Sequence, residues 1–473
     1  MGHDNNGVKM INKQSKNFTA TTNACKLCTP LGASLFFKGL ENSISLLHGS
    51  QGCSTYIRRY LISHFREPVD IASSNFSEDT AIFGGGANLK KALDNIRKQY
   101  RPGLIGVATT CLSETIGDDV PMLIRKYMEE HKDEILPRIV HVSTPSYTGT
   151  HADGFHKAVK ATVDNFLNHS QKPYAGMMTQ KDIRGLVNLF PGMVSPADLR
   201  YLKEIMSGFG LKGVMLPDYS ETLDGGLWSE FEIIQDGGAR LDDIPSMGTA
   251  EATIELGRVL SFGDSAGHML EKAHGIRLHS LGLPIGVKET GRLFTILEEI
   301  SGRKTPDSFK KEQDRLIDSY VDGHKYVSQL KAVVYGEEDL VVGLVSFLKE
   351  IGIIPVLAGS GGQSKTLKEA INQVAPDAEK MGINVREGVD FMEIEEEARA
   401  LSPDIVIGNS KGYGMARRMN IPMVRVGFPI HDRLGGSRVL HLGYRGAQQL
   451  FDKIVNSLLE KRQDTSETGY AYM

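Results

Sequence analysis

The stretch Ala332-Val-Val-Tyr-Gly-Glu-Glu-Asp-Leu-Val-Val-Gly-Leu-Val-Ser-Phe-Leu-Lys-Glu350, with Ile354-Pro-Val-Leu-Ala358 and Gly359-Ser-Gly-Gly362 behind it, decides the fold. A short β-branched run ends in glycine and three carboxylates. Apolar residues then recur with the 3.6-residue period of a helix, and a second apolar run ends in glycines. Acidic side chains suit a helix N-terminus, where free N–H groups and the backbone dipole favour negative charge. Two further strand-to-turn transitions, 404–407 into 408–410 and 423–426 into 427–429, complete a small Rossmann-like unit within about 100 residues.

The same grammar recurs upstream. The run 104–108 ends in Thr109, Thr110 and Cys111, a helix is predicted over 121–131, and the run 139–143 ends in Thr144, Pro145 and Ser146. In the middle third, 185–190 leads into Pro191 and Gly192. Ser195 then caps a helix over 196–209 with Pro196 at its first position, and 212–216 is the next strand. Stretches 250–260, 269–274 and 293–301 are further helix or strand candidates. Long helices are predicted over 313–331 and 446–460, the second with Leu450, Ile454, Leu458 and Leu459 as a core-facing stripe.

The predicted fold class is therefore α/β: three Rossmann-like domains with parallel sheets flanked by helices. A polar N-terminal arm spans 1–22, the first domain 23–180, the second 181–325, and the third, with a C-terminal helix, 326–473. A length of 473 residues agrees with three domains at roughly 150 residues each.

Composition narrows the function. With 54 basic against 58 acidic side chains the net charge is −4, which argues against a dedicated nucleic-acid or membrane-surface binder. The longest apolar runs, such as 211–217, fall far short of the roughly 18 residues a membrane span needs. Residues 1–22 lack an apolar signal-peptide core, so a cytoplasmic address is expected.

All 4 cysteines, Cys25, Cys28, Cys53 and Cys111, lie in the first quarter of the chain. In a reducing compartment such clustering points to metal or catalysis more than to disulfides. Thiolates bind iron or zinc, and several from different loops enclose a cluster, with Gly49 and Gly52 letting backbone amides approach it. The spacing is not that of a zinc ribbon, and taken alone it leaves buried, inert thiols as an equal alternative. His48, His64 and His151 read individually as satisfied histidines rather than ligands.

Other motifs carry less. Phe83-Gly-Gly-Gly86 before a helix over 88–100 would suit an anion, but it lacks the Lys-Ser/Thr of a P-loop. Glu114, Asp118 and Asp119 read as helix N-terminal charges rather than acid-base groups. No Ser-His-Asp or Cys-His ordering stands out as a nucleophilic triad.

Six ordered blocks nevertheless resemble the nitrogenase component 1 family, β-type branch. They are Cys28-Thr-Pro-Leu-Gly-Ala33, His48-Gly-Ser-Gln-Gly-Cys53, His64-Phe-Arg-Glu-Pro68, Phe83-Gly-Gly, Thr109-Thr-Cys111-Leu-Ser-Glu-Thr-Ile-Gly-Asp-Asp119 and Thr144-Pro-Ser146. The similarity runs on through Leu216-Pro-Asp-Tyr-Ser220, Glu299-Ile-Ser-Gly302, Ile407-Gly-Asn-Ser410 and Arg425-Val-Gly-Phe-Pro429, covering the chain after about Asn23.

Within that branch, the short arm, Ala416-Arg-Arg418 and Arg433-Leu-Gly-Gly436 with Gly443-Tyr-Arg-Gly446 look like NifN, the β-like half of the FeMo-cofactor assembly scaffold. By contrast, Cys28, Cys53, Cys111 and Ser146 match the P-cluster positions of a catalytic β subunit.

The resemblance implies an α2β2 heterotetramer with a NifE-like α-type partner. It implies an iron–sulfur cluster, 4Fe–4S or P-cluster-like, shared at the subunit interface and held on this side by Cys53, Cys28 and Cys111, with Ser146 as a further cofactor contact. The FeMo-cofactor precursor would sit mainly on the partner, an ATP-dependent NifH-like iron protein would deliver electrons, and this chain alone would hold no catalytic site. A β subunit of a catalytic nitrogenase or nitrogenase-like reductase is the first alternative, and a metal-free α/β small-ligand binder the second.

Overall fold

In the computed structural model of the chain, residues 24–168, 185–228 and 230–468 are described. The N-terminal arm and the first domain boundary, near 180, lie outside them. Thirteen strands form three parallel sheets among the described residues. The first holds β1 (Ser43–His48), β2 (Ile71–Ser73), β3 (Leu104–Thr109) and β4 (Arg138–Val142) in the order β2-β1-β3-β4. The second holds β5 (Leu186–Phe190), β6 (Lys212–Met215), β7 (Ala252–Leu256) and β8 (Arg277–Leu281) as β6-β5-β7-β8. The third orders β9 (Lys331–Gly336), β10 (Ile354–Ser360), β11 (Asn384–Arg386), β12 (Ile405–Gly408) and β13 (Met423–Arg425) as β11-β10-β9-β12-β13. The α/β class and the parallel sheets flanked by helices stand as expected.

The central strands β1, β3, β5, β7 and β12 are buried along their whole length. That is why they read as continuous apolar or small-residue runs instead of alternating ones. At the deciding stretch, Glu337 caps helix Glu338–Glu350 by accepting from the N–H groups of Asp339 and Leu340 at 2.8 and 3.0 Å. Ser195 likewise accepts from Asp198 N–H at 3.0 Å and opens helix Pro196–Gly208.

Several expectations are corrected or resolved. The helix expected over 313–331 is Asp307–Val327: buried Phe309 extends its core-facing side toward the N-terminus, and Gln329 with φ +65° follows its end before Lys331 opens β9. The candidates 250–260, 269–274 and 293–301 become β7, helix Ala266–His274 and the second half of helix Gly286–Ser301. The C-terminal helix is longer than expected, Gly443–Thr465, with Leu450 and Ile454 fully buried.

Helix Thr29–Lys38 packs closely on helix His151–Asn168. A Cβ on Gly32 would lie 1.7 Å from the His151 carbonyl oxygen, and one on Gly154 1.9 Å from that of Thr29. Only hydrogen fits at either crossing point, and this contact fixes where Cys28 stands. Among the described residues no helix is long and apolar enough to cross a membrane.

Candidate cysteine cluster site

In an open parallel sheet, ligands gather at the carboxyl ends of strands where the order reverses. In the first sheet that point lies between β1 and β3, whose last residues, His48 and Thr109, face each other in register. Cys53 stands in the first turn of helix Gln51–Phe65, which follows β1. Cys111 is the first residue of helix Cys111–Ile116, which follows β3. Cys28 arrives from outside the sheet as the N-cap residue of helix Thr29–Lys38, with Pro30 in its first turn. Each thiol thus sits at a helix N-terminus, where thiolate charge is favoured.

Ser146, in the loop after β4, links two of them. Its N–H donates to Cys111 Sγ at 3.2 Å, and its hydroxyl oxygen accepts from the Thr29 N–H at 3.2 Å while hydrogen-bonding the Cys28 thiol. Cys28 and Cys53 are partly buried and Cys111 is exposed, so the three open a rim to the surface. Burial pushes the Cys28 and Cys53 thiols above their ordinary range; the Ser146 hydrogen bond pulls Cys28 back, and Cys28 and Cys111 raise Cys53 further. The three sulfurs therefore feel one another electrostatically.

This donor set fits an iron–sulfur group: soft thiols free of disulfides, mutually repulsive when ionised, at the surface edge of a buried sheet. Among the described residues no three His, Cys, Asp or Glu side chains converge on a single-ion position. Cys25 is separate: fully buried against Val333 and Tyr335 of β9, its thiol is pushed up to about 12 by burial. It is a packing residue.

The loops are braced by acidic groups, and Glu114, expected as a helix N-terminal charge, does stand in the first turn of helix Cys111–Ile116. Asp118, expected at a helix start, bonds His48 Nε2 at 3.1 Å and accepts from Gly85 N–H at 3.0 Å. The glycine run thus does cradle an anion, and the anion is the chain's own carboxylate. Glu114 accepts from the hydroxyls of Thr109 and Ser143, and only Asp119 caps a helix, accepting from Met122 N–H at 2.9 Å.

Gly49 and Gly52 do not offer their amides to a cluster. The first donates to Ser74 Oγ at 2.9 Å and the second to Ser50 Oγ at 3.3 Å. Gly49 is instead demanded by Thr110, whose side chain would lie 2.0 Å from a Cβ there.

His48 and His64 are hydrogen-bonded, as expected, and His151 only in part, its Nε2 being buried without a partner among the described residues. His64 Nδ1 accepts from Ile430 N–H at 2.8 Å and His151 Nδ1 from Leu27 N–H at 3.4 Å. Sequence reading missed Lys411, nearly 390 residues from its partner, whose ammonium donates to the carbonyls of Ala24 and Lys26 and holds the cysteine-bearing segment against the third sheet. No local pattern announces a contact at such separation.

Three comparisons bear on these loops. The profile described as nitrogenase component 1 type oxidoreductase matches residues 28–459. The chain is 35% identical to the nitrogenase molybdenum-iron protein beta chain of Clostridium pasteurianum, covering 94% of this chain and 95% of that one. It is 31% identical to the nitrogenase iron-molybdenum cofactor biosynthesis protein NifN of Bradyrhizobium diazoefficiens, covering 94% and 92%. A solved structure described as nitrogenase Cp1 at pH 6.5 superposes with a TM-score of 0.90 at 33% identity, over 98% of each chain. On its sequence over nearly full length and on its fold, this chain belongs to the nitrogenase component 1 family, as a β-like subunit.

Proposed function

We propose that this chain is a NifN-like subunit of a cofactor-assembly scaffold, pairing with a NifE-like α-type subunit in an α2β2 heterotetramer. Cys28, Cys53 and Cys111 supply its half of an iron–sulfur cluster at the subunit interface, and the maturing FeMo-cofactor precursor sits mainly on the partner. When bound, the cluster supplies one-electron redox chemistry from a NifH-like reductase. The chain's residues do the rest: helix N-termini favour the thiolates, and Asp118, His48 and Glu114 hold the loops.

The observation that carries the reading is the state of Ser146. Its hydroxyl is engaged by the Thr29 N–H and by the Cys28 thiol, so it supports a ligand instead of offering itself as one. That leaves a set of thiols alone, which suits a simple cluster. The test is iron analysis and electron paramagnetic resonance of the complex purified with its partner, with Ser146→Ala beside the wild type. Retained iron in Ser146→Ala and maturation of cofactor without substrate reduction support the scaffold. An eight-iron signal that changes in Ser146→Ala, with substrate reduction, overturns it.

A second reading, the β subunit of a catalytic nitrogenase or nitrogenase-like reductase, is favoured by one observation: all three thiols and Ser146 are brought to one rim. The same measurements separate the two.

A further inference from the structure

At the opposite end of β1 from the cysteines lies a cavity of about 220 Å³, several times the roughly 30 Å³ of a water molecule. It is bounded by the end of helix Thr29–Lys38, the start of β1, Arg58 of helix Gln51–Phe65, and a covering stretch that includes Trp228, Phe231 and Gln235.

Among the described residues, two buried polar atoms on its wall lack a partner, and a half-buried ammonium without one joins them. The Ser45 hydroxyl, 5% exposed, and the Gln235 Oε1, 8% exposed, lack any hydrogen-bond partner. Folded proteins rarely leave such atoms unmatched. The neighbouring serines show that Ser45 is the exception: Ser34 donates to the Pro30 carbonyl at 2.9 Å and Ser43 to that of Leu40 at 3.0 Å.

Lys38 is the third group. Its ammonium makes no hydrogen bond or ion pair to a described residue, and Asp70 and Glu67 act on it only at a distance. Burial draws it down to about 8. Arg58 is already engaged, its Nε donating to the Val69 carbonyl at 2.8 Å and its guanidinium 3.7 Å from Asp70.

The unmet groups define a ligand. An unpaired ammonium beside a free hydroxyl asks for a carboxylate. Gln235 Oε1 asks for a donor, because its Nε2 already faces Glu67 at 3.5 Å. Lys38 and Arg58 against Asp70 and Glu232 leave the wall near neutrality, which suits one negative charge and disfavours a polyanion.

We propose that this cavity binds a small α-hydroxy monocarboxylate, its carboxylate on Lys38 Nζ and the Ser45 hydroxyl and its own hydroxyl donated to Gln235 Oε1.

Calorimetric titration of the purified full-length protein with sodium glycolate tests this. A ligand of so few atoms is expected to bind in about the millimolar range. Acetate, which lacks the hydroxyl, should bind about tenfold more weakly, and phosphate no better than acetate. Lys38→Met should abolish glycolate binding, and Ser45→Ala should weaken it about three- to tenfold with the thermal unfolding midpoint unchanged or raised. Should Lys38→Met fail to fold, Ser45→Ala and the ratio of glycolate to acetate decide. Absence of glycolate binding to the wild type, equal affinity in either folded variant, or phosphate binding more tightly than glycolate overturns the proposal.

Discussion

His48 Nε2 lies 3.1 Å from Asp118 Oδ2, and this contact ties the loop leading to Cys53 to the one that follows Cys111. The His48 ring is wholly buried, its other nitrogen lies 3.1 Å from Ser74 Oγ, and burial lowers its pKa so that it stays neutral. The same carboxylate receives the Gly85 N–H.

Removing that carboxylate strands two buried donors. Asp118→Ala is expected to lower unfolding free energy by about 2–4 kcal/mol, read as a lower urea midpoint. Iron content of the complex should fall with it. A midpoint equal to that of the wild type would show that the two loops do not depend on the pair.

The cysteines should separate into two classes. Cys53→Ala, and to a similar extent Cys28→Ala and Cys111→Ala, should lose iron from the complex while leaving the fold of the chain within about 1 kcal/mol, because these thiols are only half-buried or exposed. Cys25→Ala should keep the iron and cost about 1–2 kcal/mol in stability, since it empties a packed site against Val333 and Tyr335. Iron analysis and thermal unfolding of the four variants check both halves; iron loss in Cys25→Ala would refute the division.

Gly32→Ala and Gly154→Ala test the helix crossing. Each added methyl meets backbone at under 2 Å, so neither can be absorbed by turning a side chain. Destabilisation above about 3 kcal/mol is expected for each, and because the two contacts are one interface, the double variant should cost less than their sum. Additive losses in chemical denaturation would mean that the helices do not move as a pair.

A pH signature should come from the deciding stretch. Burial lifts Glu338 to about 7, with the Ser364 hydrogen bonds opposing it and Glu337 and Glu387 adding to it. A carboxyl whose folded pKa exceeds its unfolded value contributes stability that is complete below about 4.5 and is lost as pH rises through 7. Buried His64, drawn down to about 3, and His151, to about 4, act in the opposite sense: their contribution is complete above about 6.5 and falls away in acid. The difference between Glu338→Gln and the wild type cancels the histidines. It should move in favour of the variant by about 1–2 kcal/mol between pH 5 and pH 8, after discounting for solvent screening. A gap that stays constant across urea titrations at the two pH values would contradict it.

Local patterning carried far into this chain. The 3.6-residue period, the caps at Ser195 and Glu337 and the apolar runs of buried parallel strands are short-range signals, and the elements they announce formed within a few residues of expectation. Helices Gly286–Ser301 and Asp307–Val327 both begin earlier than expected; in the second, Phe309 finds partners in Phe209 and Phe294, which periodicity cannot register.

By itself, then, the sequence determined the α/β class, the strand-end location of Cys53 and Cys111, and the family, because each is encoded in residues close together in the chain. Only the tertiary structure decided what Ser146, Asp118, Gly49 and Lys411 do. Their partners lie 25 to 387 residues away, and whether a carboxylate caps a helix or binds a buried histidine depends on which loop the fold brings beside it.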